Sequence, residues 1–213
     1  MLFRFVICNT RVLRVNLTEG RARSVTCLDE QTGERYDIAA GEEIILCAGA
    51  IDSPRLLLLS GIGPADELRE LGIEVQHDLP SVGGEILDHP ESIIIWELKK
   101  PLGPETVMGA DCALFVNRLG EDDRPDLMYH TYQLPFTFNT ERLGYPVPDD
   151  RYCICMTPNI PRTKSRGRLW LLSKNPDIKP AIDFGYFTDP DGYDEQTIVD
   201  GLEITRDVAA TGP

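Results

Sequence analysis

Three groupings of residues in this chain bring chemistry-capable atoms together at short spacing. The first is a corner of very small residues, Ala48-Gly49-Ala50, followed by Ser53-Pro54. Side chains almost vanish there, so another body can approach bare main chain. Ser53 is expected to act as an N-cap with Pro54 at N1, starting a helix over 54–59 whose unpaired N–H groups would face an anion. A tight turn between strand and helix, with no ligand, is the plainer reading of the same residues. The second grouping is two neighbouring acid–imidazole pairs, His77-Asp78 and Asp88-His89. Such pairs suit proton transfer, but sequence neighbours point apart, and both are read as structural or surface groups. The third is Cys153 and Cys155, which share one face of a strand. With no second Cys pair or spaced His, they are read as packing and not as a zinc site. No GxSxG elbow, Walker loop or HExxH helix is present, so acyl transfer, nucleotide hydrolysis and zinc proteolysis lack their usual supports. Gly61-Ile62-Gly63 lacks a third glycine and follows a helix instead of a strand, so it is not a dinucleotide fingerprint.

The corner needs elements to hold it. Ile44, Ile45, Leu46, Cys47 and Ala48 form a continuous apolar run between Gly41 and Gly49, which predicts a strand covered on both faces and therefore parallel to its neighbours. The small residues then fall at the strand's carboxyl end, where open α/β sheets hold ligands. Upstream, Arg11 to Leu17, Ser24 to Leu28 and Arg35 to Ile38 read as an antiparallel meander. Downstream, Pro64 opens a short helix with Gly72 as its C′ residue. Ile73 to Val75 reads as a strand and Pro80 to Gly84 as a loop. From Ser92 onward, SIIIWEL, DCALFVNR, PDLMYHTYQL, RYCICMTP and SRGRLWLL are five strand-like runs without intervening helices, predicting one antiparallel sheet. Trp96, Tyr129, Tyr132, Phe136 and Phe138 are aromatics that line either its core or a pocket. The last segment, Tyr193 to Ala210, sets Ile198, Leu202, Thr205 and Ala209 on one helical face, with Gly212 as C-cap.

Bulk properties narrow the partners. In 213 residues, 21 Lys and Arg oppose 35 Asp and Glu, a net charge of −14, which disfavours nucleic acid and anionic membrane. No apolar run approaches the length of a membrane span. Six scattered cysteines with no secretory segment read as reduced thiols in a reducing compartment, and a cytoplasmic location is expected. The abrupt start, and an end directly after a helical pattern, suggest a fragment.

GAIDSPRLLLLSGIG, Gly49 to Gly63, resembles the second signature of the glucose-methanol-choline (GMC) family of FAD-dependent alcohol oxidoreductases. The small residue, the Ser-Pro pair, the aliphatic positions and Ser60-Gly61-Ile62-Gly63 fall at the family's spacing. The continuation to Val82-Gly83 and Asp88-His89, the Pro125-Asp126-Leu127 strand opening, the Ser165-Arg166-Gly167 turn and the stretch from Lys174 to Asp194 are also similar to that family. Asp52 and Glu85 depart from it, standing where the family usually has Asn. The resemblance implies a mixed α/β and α+β fold. Residues 1–90 would form part of an FAD-binding, Rossmann-like domain (the meander plus the parallel strand), and 91–213 a truncated substrate domain with an antiparallel sheet packed by helices. It implies FAD as cofactor, with Val12 meeting the adenine through its backbone, Ala48 and Gly49 near the phosphate and ribose, and Ser53 beside them. It implies a small-molecule alcohol as substrate, oxidised to an aldehyde or ketone, in the manner of choline dehydrogenase. The electron acceptor stays open. The catalytic His is expected beyond Pro213, which would leave the isolated fragment inactive. A non-catalytic binding or interaction module on the same fold is the alternative.

Overall fold

The computed structural model describes residues 5–103, 110–120 and 123–211. Two compact units emerge: residues 1–86 with 167–184, and residues 87–166 with 185–213. The segment 167–184, which the sequence expectation places after 90, packs with residues 1–86.

The first unit opens with the meander: β1 (Thr10–Thr18), β2 (Arg21–Asp29) and β3 (Arg35–Ala39), antiparallel in that order. A register shift between Val12 and Arg14 makes Leu13 the extra residue of a bulge. Val12 is left 39% exposed while Leu13 and Val15 are buried. Helix α1 (Gly49–Leu59) lies on β1, joined by Ser60, whose buried hydroxyl accepts the Val15 N–H at 2.8 Å and donates to the Leu56 carbonyl. A two-residue parallel pair, β4 (Ile62–Gly63) and β5 (His77–Asp78), flanks α2 (Ala65–Glu70). Gly72 takes φ of 67° just past α2, the left-handed stop that the sequence predicts. Leu58 and Leu68 pack with Leu169 and Leu171 in this unit's core.

Two sequence expectations fail here for physical reasons. Residues 44–48 form no strand, because no described strand donates or accepts hydrogen bonds along them, and a parallel strand exists only with such a neighbour. The segment keeps a two-residue alternation, Ile44 and Leu46 half-buried, Ile45 and Cys47 exposed. Ile73 to Val75 is likewise irregular, with pairing displaced to His77-Asp78.

The second unit is built on a four-stranded antiparallel sheet in the order β6, β9, β8, β7, with β6 Ile94–Glu97, β7 Ala110–Val116, β8 Leu127–Tyr132 and β9 Cys153–Asn159. A short helix, α3 (Phe138–Arg142), lies between β8 and β9. Four of the five expected runs thus share one sheet. The fifth, β10 (Arg168–Trp170), pairs instead with β11 (Ala181–Asp183) in the first unit, where Leu169 enters the core.

Helix α4 (Tyr193–Ala210) spans the predicted residues, and Thr205 is buried as expected, but the rest of its buried seam is Asp194, Thr197 and Gly201 in place of Ile198, Leu202 and Ala209. The cause is close packing. A Cβ on Gly201 would stand 2.9 Å from Pro158 Cβ and 3.2 Å from Leu127 Cδ2, so the helix approaches β9 on its smallest residues. Thr197 and Thr205 return their hydroxyls to the carbonyls of Tyr193 and Gly201 and so enter the interface with polarity satisfied. The expected cap Gly212 lies outside the described residues; Thr211 ends the helix.

Candidate functional site

A cleft of about 360 Å³ lies in the first unit between β1 and α1, lined by Val12, Ala48, Asp52, Arg55, Leu56 and Pro176 among others. The bulge turns Val12 outward on one wall; Ala48, the residue before the helix, forms the other. Gly49 follows Ala48 with φ of 84°, a conformation costly to any residue with a Cβ, and a Cβ there would meet nothing within 4 Å. Main chain is therefore bare at this corner, with open space beside it.

Ser53 does not cap the helix. The helix begins at Gly49, with Ala48 in the cap position and no side chain accepting from its first turn. Ser53 Oγ instead accepts the Ala48 N–H at 3.1 Å, tying the turn back onto α1. Pro54 falls near the helix start, where its missing N–H forfeits only one intrahelical bond, so the helix runs through it. Of the four residues expected around the cofactor, Val12 and Ala48 line one cleft, Gly49 adjoins it, and Ser53 braces it.

Two arginines that sequence reasoning missed frame the cleft. Arg11 reaches Asp177 at 2.8 Å and Glu30 at 3.3 Å. Arg55 reaches Asp52 at 2.9 Å and donates to the Ile178 carbonyl at 3.2 Å. Their partners at 176–178 lie more than a hundred residues downstream, so nothing local in the sequence signals the clamp. Among the described residues that line the cleft, the carboxylates of Glu30 and Asp52 are each paired with one of these arginines.

A second set of polar groups stands on the second unit's sheet. His130 and Thr157 are directly opposed across β8 and β9, and Asn159 lies two residues further along the same face. Tyr129, on the other face, donates to the Gly201 carbonyl of α4 at 3.3 Å, so His130, Thr157 and Asn159 lie away from α4. His130 Nδ1, Gln133 Oε1, Thr157 Oγ1 and Asn159 Oδ1 are buried without a hydrogen-bond partner among the described residues. Buried polar atoms in that state favour any ligand or water that completes them. The period-two pattern of PDLMYHTYQL signals which residues share a face; only the structure reveals the missing partners.

The acid–imidazole pairs serve structure. Asp78 accepts the Ala65 N–H at 3.1 Å at the start of α2. Asp88 accepts a short hydrogen bond from the Tyr186 hydroxyl; burial and that carboxylate push the phenol up to about 12. Cys153 and Cys155 are fully buried, and burial raises both thiols above their ordinary range, which keeps them protonated. Among the described residues no group of His, Cys, Asp and Glu could hold a metal ion. Of the aromatics, Tyr129 is core and Phe138 is 80% exposed, while Tyr132 and Phe136 meet edge to face at 4.6 Å.

Comparison with known proteins gives a consistent answer. The family description "GMC oxidoreductase" matches residues 4–91. Choline oxidase of Arthrobacter globiformis is 41% identical over 190 residues, covering 89% of this chain and 34% of that protein. The oxygen-dependent choline dehydrogenase of Chromohalobacter salexigens is 32% identical over 215 residues, covering 90% of this chain and 37% of its own length. The chain therefore spans about a third of these relatives. Among solved structures, pyridoxine 4-oxidase from Mesorbium loti superposes with a TM-score of 0.83 over 95% of this chain and 38% of that one, at 24% identity, which establishes the shared fold. From the Gly49 corner to the superposition, the observations converge: the chain belongs to the GMC oxidoreductase family.

Proposed function

We propose that this chain is part of a flavin-dependent oxidoreductase that oxidises an alcohol to an aldehyde or ketone. In this reading the first unit contributes part of an FAD site and the second unit's sheet the substrate side. The observation that carries it is the corner at Gly49: a left-handed glycine with open space where a Cβ would stand, beside a cleft that already gathers Val12 and Ala48. Those features fit a dinucleotide lying against bare main chain. Val12 would meet the adenine, and Ala48 and Gly49 the phosphate and ribose. Ser53 would hold the Ala48 amide in place, and the Arg11 and Arg55 clamps would keep the walls of the cleft apart.

When bound, the flavin would supply a hydride acceptor for the carbinol carbon. The residues of this chain orient and desolvate. On the sheet, His130, Thr157 and Asn159 offer buried polar atoms that a hydroxyl-bearing ligand would complete. The choline oxidase and choline dehydrogenase relatives place small alcohols among the substrates to be tried first.

The test is the visible absorbance of the full-length protein carrying this sequence. Flavin colour that bleaches when an alcohol is added without oxygen is the expected result. A colourless protein that releases no flavin on denaturation would overturn the proposal. Gly49→Val should lower flavin content sharply, since it adds both backbone strain and bulk at the corner.

A further inference from the structure

We propose that a cleft wholly within the second unit, separate from the Gly49 corner, is a binding site for an oxyanion, a carboxylate or phosphate, free or carried by a small molecule. The cleft has a volume of about 480 Å³, and Arg124, Arg162, Lys164 and Arg166 line it together with Tyr193. In a chain of net charge −14, so many cations around one hollow run against the composition.

The local sequence explains how they converge. Residues 162–166 read Arg-Thr-Lys-Ser-Arg, and burial alternates with them: Thr163 and Ser165 are 8% and 6% exposed, while the three cations between and around them are exposed. The segment is no strand, since the chain turns at 161–162 and bends at Lys164, but the alternation still leaves Arg162, Lys164 and Arg166 on the solvent side. The segment is also held rigidly. Asp194, fully buried at the start of α4, accepts the N–H groups of Lys164 and Ser165, each at 2.8 Å. Ser165 Oγ in turn accepts from Thr188 and Asp189 at 3.0 and 3.1 Å. The cations are thus carried on a fixed backbone, which lowers the ordering cost of binding.

Four cationic side chains and one carboxylate line the cleft. The carboxylate, Asp126, is 4% exposed: its Oδ1 accepts the Arg118 backbone N–H at 2.7 Å, and its Oδ2 stands 3.4 Å from Arg118 Nε as an ion pair without a hydrogen bond. Arg166 directs Nη1 to the carbonyls of Thr163 and Ser165 at 2.6 and 2.9 Å, which orients its plane. Among the described residues no carboxylate pairs with it. Lys164 stands 4.6 Å from the centroid of the Tyr193 ring and 3.6 Å from Asp191, an exposed pair of little worth in water. A planar guanidinium beside a mobile ammonium is the combination that takes a carboxylate or phosphate with both directionality and charge.

The experiment is calorimetric titration of the full-length protein with sodium phosphate and with sodium acetate at constant ionic strength, and with tetramethylammonium chloride as the cationic control. The anions should bind and the cation should not. Affinity should fall as salt rises. The double variant Lys164→Gln, Arg166→Gln should bind about tenfold more weakly, or worse, whereas Arg151→Gln, an exposed charge outside the cleft, should bind as the unchanged protein does. Absence of anion binding overturns the proposal, as does an equal loss in Arg151→Gln, which would mean that net charge alone is read. Competition between phosphate and the alcohol in turnover would identify the anion as part of the substrate. Binding without competition would identify a free anion; both outcomes support the site. Flavin content is measured separately by visible absorbance, so failure here leaves the flavin proposal standing and the reverse holds too.

Discussion

Tyr129 concentrates more of the second unit's physics than any other single residue. Its ring is fully buried against α4, its hydroxyl donates to the Gly201 carbonyl, and burial, with the nearby carboxylates of Asp126 and Asp200, pushes its phenol up to about 12. An unfolded tyrosine releases its proton near pH 10, whereas the folded one holds it to about 12. Across that window the unfolded state binds fewer protons, so each rise in pH favours unfolding. The stabilisation is complete below about pH 10 and is lost as pH climbs through the folded value, a total of about 3 kcal/mol. Urea unfolding followed by circular dichroism at a series of alkaline pH values should reveal this step, and Tyr129→Phe should remove it. An identical pH profile in the two proteins would contradict the assignment. At neutral pH the same variant leaves the Gly201 carbonyl without that donor, at a cost of about 1 kcal/mol.

Elements reveal what composition and pattern can carry. The meander strands and α4 are readable because alternation and helical spacing are local properties of the sequence. The left-handed stop at Gly72 is readable because only a residue without a Cβ sits there cheaply. The seam of α4 is legible only at Thr205, since close approach to Pro158 selects Gly201 over the larger Leu202, and hydrophobicity points the wrong way there. The Arg11 and Arg55 clamps are hidden for another reason: their partners at 176–178 are distant in sequence. The segment 44–48 is a third case. Its apolar character predicts a strand, but strand formation depends on a neighbour that no described residue provides, and none forms. Ile45 is consequently 74% exposed, and Phe5 and Val6 are 85% and 87% exposed in the same unit. The isolated chain should therefore bind an apolar dye. Ile45→Glu should reduce the dye signal while changing stability by no more than about 0.5 kcal/mol, as expected of an exposed position. A dye-silent chain, or a large loss of stability in the variant, would contradict this picture.

At the scale of the whole molecule, the chain crosses between its two units at 86, 166 and 184, yet each unit keeps a core of its own. Leu58, Leu68, Leu169 and Leu171 make one; Leu127, Tyr129 and Met156 make the other, and they share no buried residue. Large-to-small changes act through the cavity they leave, so their effect should stay with the core that contains them. The sequence supplies an internal reporter for each, because its two tryptophans divide between the units, Trp170 in the first and Trp96 in the second. Leu68 is 1% exposed, and Leu68→Ala should destabilise the first unit by about 3 kcal/mol. Fluorescence of the Trp96→Phe background, which reports Trp170, should show its urea midpoint fall. In the Trp170→Phe background, the Trp96 midpoint should hold. Equal shifts of both midpoints would mean that the two cores unfold as one cooperative body, and that a buried leucine of the first unit governs the stability of the second unit's sheet as well.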